Sequence, residues 1–241
     1  MMQRPTLAAA LGALVLAACG DDDGGGPAAE RTFAVRVENV STPNTVPTAR
    51  ANGTVPLSPG AYAVFAGANP LFTAGQRADA GTERIAEDGF PMTKATALAA
   101  LSGVRGGTFE APGGPDNLPA LAAGEAATFT VTAAPGARLQ METMFVQSND
   151  WFYAFAGDGL ALFDGGTPVS GDVTARLVLY DAGTEEDTAP GTGPNQKPAQ
   201  EPQATNVGPA DDNTAIRLAS TNPFTIPATA SVIRVTITPQ P

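Results

Sequence analysis

Phe33-Ala-Val-Arg-Val-Glu-Asn39 and Ser231-Val-Ile-Arg-Val-Thr-Ile-Thr238 are the stretches that decide the fold. In the first, Phe33, Val35 and Val37 alternate with Arg36 and Glu38, and Asn39 continues the apolar side. The second repeats the pattern with Ile233, Val235 and Ile237. Side chains two positions apart share one face of a β-strand, so this period marks strands with one buried and one wet face. Further strands are predicted near Tyr62 to Phe65, Glu125 to Ala133, Arg138 to Gln147, Trp151 to Ala156 and Val173 to Tyr180. Shorter ones are expected near Thr54 to Leu57 and Thr214 to Ala219. So many strands, with so little helical period, predict a mainly β chain built as an antiparallel β-sandwich. One segment differs: from Thr93 to Leu101, Ala95, Leu98, Ala99 and Leu101 fall at helical spacing and Gly103 follows as a stop. A single short helix on one edge of the sandwich is expected there. The Pro-rich stretch from Thr184 to Pro209 reads as a long surface loop.

Ahead of the first strand the chain changes character. Arg4 precedes an apolar run from Leu7 to Ala18, the pattern of a secretory signal over residues 1–18. That run is too short to cross a bilayer, which takes roughly 20 apolar residues. Leu16-Ala17-Ala18-Cys19 is similar to the lipobox of bacterial lipoproteins, in which the cysteine after the cut is acylated. Cys19 is the only cysteine, so an acylated Cys19 leaves no disulfide. Residues 19–30, with Asp21, Asp22, Asp23 and several glycines, then read as a flexible acidic tether, and 31–241 as the folded domain. The implied partner of Cys19 is a lipid bilayer. Gly20, not Asp, follows the cysteine, which resembles an outer-membrane address.

Composition narrows the chemistry. Without the leader, 12 Lys plus Arg stand against 24 Asp plus Glu, which argues against nucleic acid and for divalent cations as partners. The chain contains no histidine. Ser-His, Cys-His and His-metal chemistry are thereby excluded, along with the commonest general base. Lys94 and Lys197 are the only lysines, and neither follows a serine at Ser-x-x-Lys spacing. An enzyme on this chain would have to work with carboxylates, as a glycoside hydrolase does.

Two segments collect carboxylates at predicted strand ends. Ser148-Asn149-Asp150 is turn chemistry between two strands, and Trp151, Tyr153 and Phe155 share one face of the outgoing strand. A second strand ends at Tyr180, and Ala182-Gly183-Thr184 turns the chain so that Asp181 and Glu185 approach each other. If those two strands pair, Asp150, Asp181 and Glu185 meet at one end of the sandwich. Three carboxylates so placed repel unless a cation compensates, and calcium, which takes roughly six to eight oxygens, suits them. Spacing alone serves a solvated acidic turn equally well. Glu87 and Asp88, in Ala-Glu-Asp-Gly, read as a turn or helix start, with one of them capping a helix.

The order of segments resembles the spondin N-terminal domain. The resemblance rests on Phe33-Ala-Val-Arg-Val-Glu-Asn, Pro56-Leu-Ser-Pro-Gly, Leu71-Phe-Thr-Ala-Gly, Ala86-Glu-Asp-Gly, Ser148-Asn-Asp-Trp-Phe and Asp181-Ala-Gly-Thr-Glu. It implies a C2-like β-sandwich that binds calcium through Asp150, Asp181 and Glu185, the last standing where the family commonly has Asp. The cysteines of the animal domain are missing here, so its disulfides do not carry over.

The expectation is therefore a membrane-anchored lipoprotein of the cell envelope, displaying a calcium-binding module for a glycan, a lipid headgroup or a protein, and not an enzyme. A structural lipoprotein without a small ligand is the competing reading.

Overall fold

The computed structural model describes residues 29–112, 120–201 and 204–241. The expected signal peptide, Cys19 and almost all of the acidic tether lie outside the described residues. Among the described residues no helix is long and apolar enough to cross a membrane.

The chain is mainly β. Its larger strands are β1 (Arg31–Asn39), β2 (Leu57–Phe65), β3 (Arg105–Phe109), β4 (Ala126–Ala133), β5 (Arg138–Phe145) and β6 (Trp151–Phe155). Four two-residue strands follow: β7 (Leu160–Ala161), β8 (Phe163–Asp164), β9 (Thr167–Pro168) and β10 (Gly171–Asp172). Then come β11 (Leu177–Asp181), β12 (Arg217–Leu218) and β13 (Ile233–Pro239). One sheet runs β10-β13-β1-β4 and the other β12-β11-β6-β5-β2-β3, with β7 added against β5, all antiparallel. The two alternating stretches that decided the fold are neighbours: Phe33 to Asn39 pairs with Ile233 to Pro239.

Between the sheets, Phe33, Val35, Val37, Val235 and Ile237 pack in one core with Leu139, Met141, Trp151, Tyr153 and Phe155. Full burial of each such apolar side chain contributes about 1.5–3 kcal/mol, so this layer dominates the stability. Tyr62 stacks on Phe129 at 4.1 Å between centroids and Phe109 lies on its other side at 5.2 Å. As the sequence implied, Trp151, Tyr153 and Phe155 share this face.

Among the described residues there are two α-helices where one helix was expected. Helix α2 (Met92–Ala99) lies near the predicted segment, against β2 and the edge strand β3. Helix α1 (Ala80–Asp88) packs over β5 and β6, at the middle of the sheet. Together with Leu71 and Phe72 they bury the outer face of the longer sheet through Ala63, Phe65, Phe152, Ala154 and Tyr180. A strand covered on both faces needs no polar side, which is why Trp151-Phe-Tyr-Ala-Phe155 is buried throughout. Asp79 caps α1 by accepting from the N–H groups of Gly81 and Thr82, and Gly89 closes it in the left-handed conformation. Glu87 and Asp88 thus sit in its last turn, not at its start. Lys94 is buried between the layers, its Nζ donating to the Leu71 carbonyl and to Asp79 Oδ1 at 2.7 Å.

Strand β3 was not foreseen, because Gly106 and Gly107 interrupt any alternation. Those glycines let neighbours pack closely: a Cβ on Gly106 would lie 3.0 Å from Leu98, and one on Gly107 2.8 Å from the Tyr62 hydroxyl. Thr54 to Val55 is not a strand, and Leu57 already belongs to β2. Among its described residues the stretch from Thr184 to Pro209 lacks strands, as expected, but it is no loose surface loop. Glu185, Pro190, Gly191, Gly193 and Gln196 are buried, and Arg50 fastens it by donating to Gly193 O and Gln196 Oε1.

The strands give the sandwich two distinct ends. Arg31 opens β1 at the end where Arg105 and Ala133 also lie, with Arg105 paired to Glu30. Asn39, Leu57 and Leu121 mark the other end, where Asn39 Nδ2 donates to the Val55 and Leu121 carbonyls.

Candidate metal centre

Strands β6 and β11 pair antiparallel with Asp181 opposite Trp151, so the end of β11 stands beside the start of β6. That register brings Asp150 and Asp181 together, as the sequence implied. The turn before β6 is held by Ser148, whose hydroxyl donates to the Phe145 carbonyl at 2.6 Å and accepts from the Trp151 N–H at 3.0 Å. Asn149 Oδ1 accepts from the N–H and hydroxyl of Thr188, tying the long loop to the same turn.

Asp150 is fully buried and organises the chain after β11. Its carbonyl accepts from the Ala182 N–H at 3.1 Å. Its Oδ2 accepts from the N–H of Thr184 at 2.7 Å, the N–H of Glu185 at 3.0 Å and the Thr184 hydroxyl at 3.0 Å. Gly183, which donates to Asp181 Oδ1 at 2.7 Å, makes this turn at a φ of 67°. A Cβ there would lie 2.6 Å from the Asn213 carbonyl, so only glycine fits.

Asp150, Asp181 and Asp187 each offer a carboxylate oxygen within 4.8 Å of the others. Two oxygens held at 2.3–2.6 Å on opposite sides of one calcium ion are about 5 Å apart, so this spacing can accommodate a shared cation. Facing them is Arg217, the cross-strand partner of Asp181. Its Nη2 lies 2.5 Å from Asp181 Oδ2, 2.6 Å from Asp211 Oδ2 and 3.8 Å from Asp187 Oδ2. Asn222 Nδ2 donates to Asp181 Oδ2 at 2.9 Å and to Asp187 Oδ2 at 2.5 Å. Three carboxylates, Asp181, Asp187 and Asp211, therefore meet one guanidinium, Asp150 stands beside them outside its reach, and Asp150 Oδ1 and Asp187 Oδ1 are buried without a hydrogen-bond partner.

The electrostatics follow from that excess. Burial, followed by the charge of Asp181, pushes the Asp150 carboxyl well above the usual range against the pull of its three hydrogen bonds. Burial, then Asp150 and Asp181, push Asp187 up as well, with Arg217 opposing. Buried carboxylates with unmet lone pairs are costly, and a divalent cation relieves both the desolvation and the repulsion.

Glu185 stands elsewhere. Its side chain is buried, Oε2 accepts from Asn149 Nδ2 at 3.3 Å, and Oε1 has no partner. Burial pushes its carboxyl up to about 8, helped by the charge of Glu87. The position expected for Glu185 within the trio is held by Asp187, two residues on. The backbone N–H of Glu185 is spent on Asp150, and its carboxylate lies outside the trio. Asp187 was visible in the acidic run Glu185-Glu186-Asp187, but no spacing singled it out. Arg217 and Asn222 were missed because only long-range pairing brings them here. Neither a protein-family model nor a curated protein matches this chain.

Proposed function

We propose that this chain is a calcium-binding sandwich of the spondin type, displayed by a lipid anchor on Cys19 as a binding or adhesion module of the cell envelope, and not an enzyme. The observation that carries the metal reading is the pair of buried, unpartnered oxygens, Asp150 Oδ1 and Asp187 Oδ1, inside a trio of carboxylates that a single Arg217 leaves undercompensated. The donors are all hard oxygens, the set calcium prefers, and water would complete the shell. Loops of this kind favour affinities of about 10⁻⁴ to 10⁻³ M, as in extracellular modules.

The position of the trio supports display. It lies at the end of the sandwich opposite Arg31, where the tether would begin, and nine residues of β1 at about 3.3 Å each separate the ends by roughly 30 Å. A calcium-rigidified tip pointing away from the anchor is free to meet a glycan, a protein or a neighbouring membrane's headgroups.

Calorimetric titration of calcium into the protein tests the metal reading. Saturable binding is expected, weakened at least tenfold by Asp150→Asn, which leaves the turn an acceptor but removes a charge. Equal heats in the two proteins would refute the assignment. Globomycin-sensitive processing and loss of membrane association in Cys19→Ser test the anchor separately.

A further inference from the structure

Asp164-Gly165-Gly166-Thr167 is a tight hairpin away from the carboxylate trio. Asp164 pairs with Thr167 across it, and both glycines take positive φ, 52° and 86°, as a two-residue type I′ turn requires. Its strands, β8 and β9, join neither main sheet. The hairpin is seated by Phe163, whose half-buried ring meets the buried Phe33 edge to face at 5.5 Å. Between this hairpin, β7 and β10 is a cleft of about 520 Å³, within the range of about 300–1,000 Å³ usual for small-molecule sites. Leu160, Phe163 and Val169 supply its apolar wall, and Asp164, Asp172 and Arg176 its polar one. A second cleft of about 510 Å³ adjoins it, sharing Asp172 and Ala175 and adding Thr174, Leu177 and Thr229. The backbone of Arg176 is fixed, its N–H donating to the Val173 carbonyl and its carbonyl accepting from the Ala156 N–H, both at 2.9 Å. Its side chain is exposed, and among the described residues its guanidinium pairs with no carboxylate.

We propose that the two clefts form one groove that binds an uncharged glycan chain. The charges in and beside it balance: Asp164 and Asp172 stand against Arg176 and Arg234, whose Nε lies 4.0 Å from Asp172 Oδ2. A balanced groove favours neither an anion nor a cation, yet it is rich in groups that bond hydroxyls. Carboxylates accept from sugar O–H groups, and a free guanidinium donates to hydroxyl and ring oxygens. The Thr174 N–H donates to Asp172 Oδ1 at 2.8 Å and so fixes that carboxylate beforehand. The Phe163 ring and the aliphatic wall offer an apolar surface to the C–H face of a pyranose, and the few polar groups set its orientation. Two joined clefts suit a polymer, because each can take a different part of one chain. The groove gives the binding-module reading a ligand class and rests on that reading, but not on the metal. Arg176 immediately precedes β11 and Asp181 ends it, so the two are about 16 Å apart along an extended strand.

Calorimetric titration of the full chain with cellohexaose, maltohexaose and chitohexaose, and with a galacturonate hexamer as the acidic control, tests the groove. Two exposed positions are altered, and each variant is checked for folding by circular dichroism: Arg176→Gln removes the free cation, and Ala175→Trp fills the junction of the two clefts. At least one uncharged hexamer should bind saturably, more tightly than its disaccharide, with affinity at least tenfold lower in both variants and unchanged in chelator. Absence of binding by all three uncharged hexamers overturns the proposal, and calcium titration of the same sample shows whether the metal reading still stands. Binding of the galacturonate hexamer alone, lost in Arg176→Gln, overturns the uncharged class while keeping a binding module. A hexamer bound equally by wild type and both variants overturns this groove, and if chelator then abolishes the binding, the module reading survives at the metal tip.

Discussion

Asp187→Asn should move stability in opposite directions with and without calcium. In the calcium-free protein, Asp187 faces Asp150 and Asp181 at up to 4.8 Å, and at an effective dielectric of about 20 each like pair repels by about 3.5 kcal/mol. Arg217, at 3.8 Å, returns about 4.4 kcal/mol by the same relation. The net repulsion on Asp187 is then about 2.5 kcal/mol, and the variant removes it while its amide oxygen can still accept from Asn222. In chelator the variant should therefore melt about 5–10 °C above wild type, at roughly 2–4 °C per kcal/mol for a chain of this size. Calcium reverses the order of response. At about 10 mM, a hundredfold above a dissociation constant of about 10⁻⁴ M, wild type gains about 2.7 kcal/mol, and the variant should gain far less. The pH dependence has a definite sign. The folded chain holds the Asp187 proton to higher pH than the unfolded chain does, so the cost is absent below about pH 3.9 and grows as pH rises towards the folded value. The advantage of the variant in chelator should accordingly shrink between pH 8 and pH 5. Scanning calorimetry in calcium and in chelator at both pH values measures all of this. A variant that is destabilised equally in both solutions would show Asp187 to be a structural hydrogen-bonding group, and the repulsion reasoning would fail.

Three other outcomes follow from the same structure. Glu142, fully buried on β5, is pushed up to about 7 by burial, with Lys94 pulling the other way, and its Oε2 lacks a partner. Its ionisation costs the fold about 3 kcal/mol above pH 7 and nothing below about 4.5, so the stability difference between Glu142→Gln and wild type in urea should change by that amount between pH 4.5 and pH 8; a pH-independent difference would count against it. Tyr153 buries a hydroxyl with no partner in the inter-sheet core, so Tyr153→Phe should raise the melting midpoint by a few degrees, worth about 1 kcal/mol or more. Gly183→Ala forces a side chain into the Asn213 carbonyl at positive φ and should cost at least about 1–3 kcal/mol together with calcium affinity, whereas unchanged titrations would show the Asp181 turn to be adaptable.

The parts of this protein that could be read from its sequence are those encoded by local period. Strands β1, β4, β5, β6 and β13 alternate or run apolar because one sheet face, or both, is buried, and the strand pairing that joins Asp150 to Asp181 follows once β6 and β11 are adjacent. Helix α1 escaped because its nine residues contain few apolar positions; its signal lay in the caps, Asp79 at one end and Gly89 at the other. Strand β3 escaped because its glycines answer to Leu98 and Tyr62, residues that no local window contains.

The identity of the third carboxylate was out of reach for a different reason. A turn read as Asp181-Ala-Gly-Thr-Glu185 predicts where the chain reverses, but not how it is used after reversing. Here Asp150 captures the backbone N–H groups of Thr184 and Glu185, so the first acidic residue past the turn is held by its main chain. Its carboxylate is engaged instead by Asn149, next to Gly208, while Asp187 is engaged by Asn222 beside Arg217. One buried aspartate thus sorts the acidic residues that follow it into two groups. The choice is made by hydrogen bonds between residues more than thirty positions apart, and a residue count along the loop contains no trace of them.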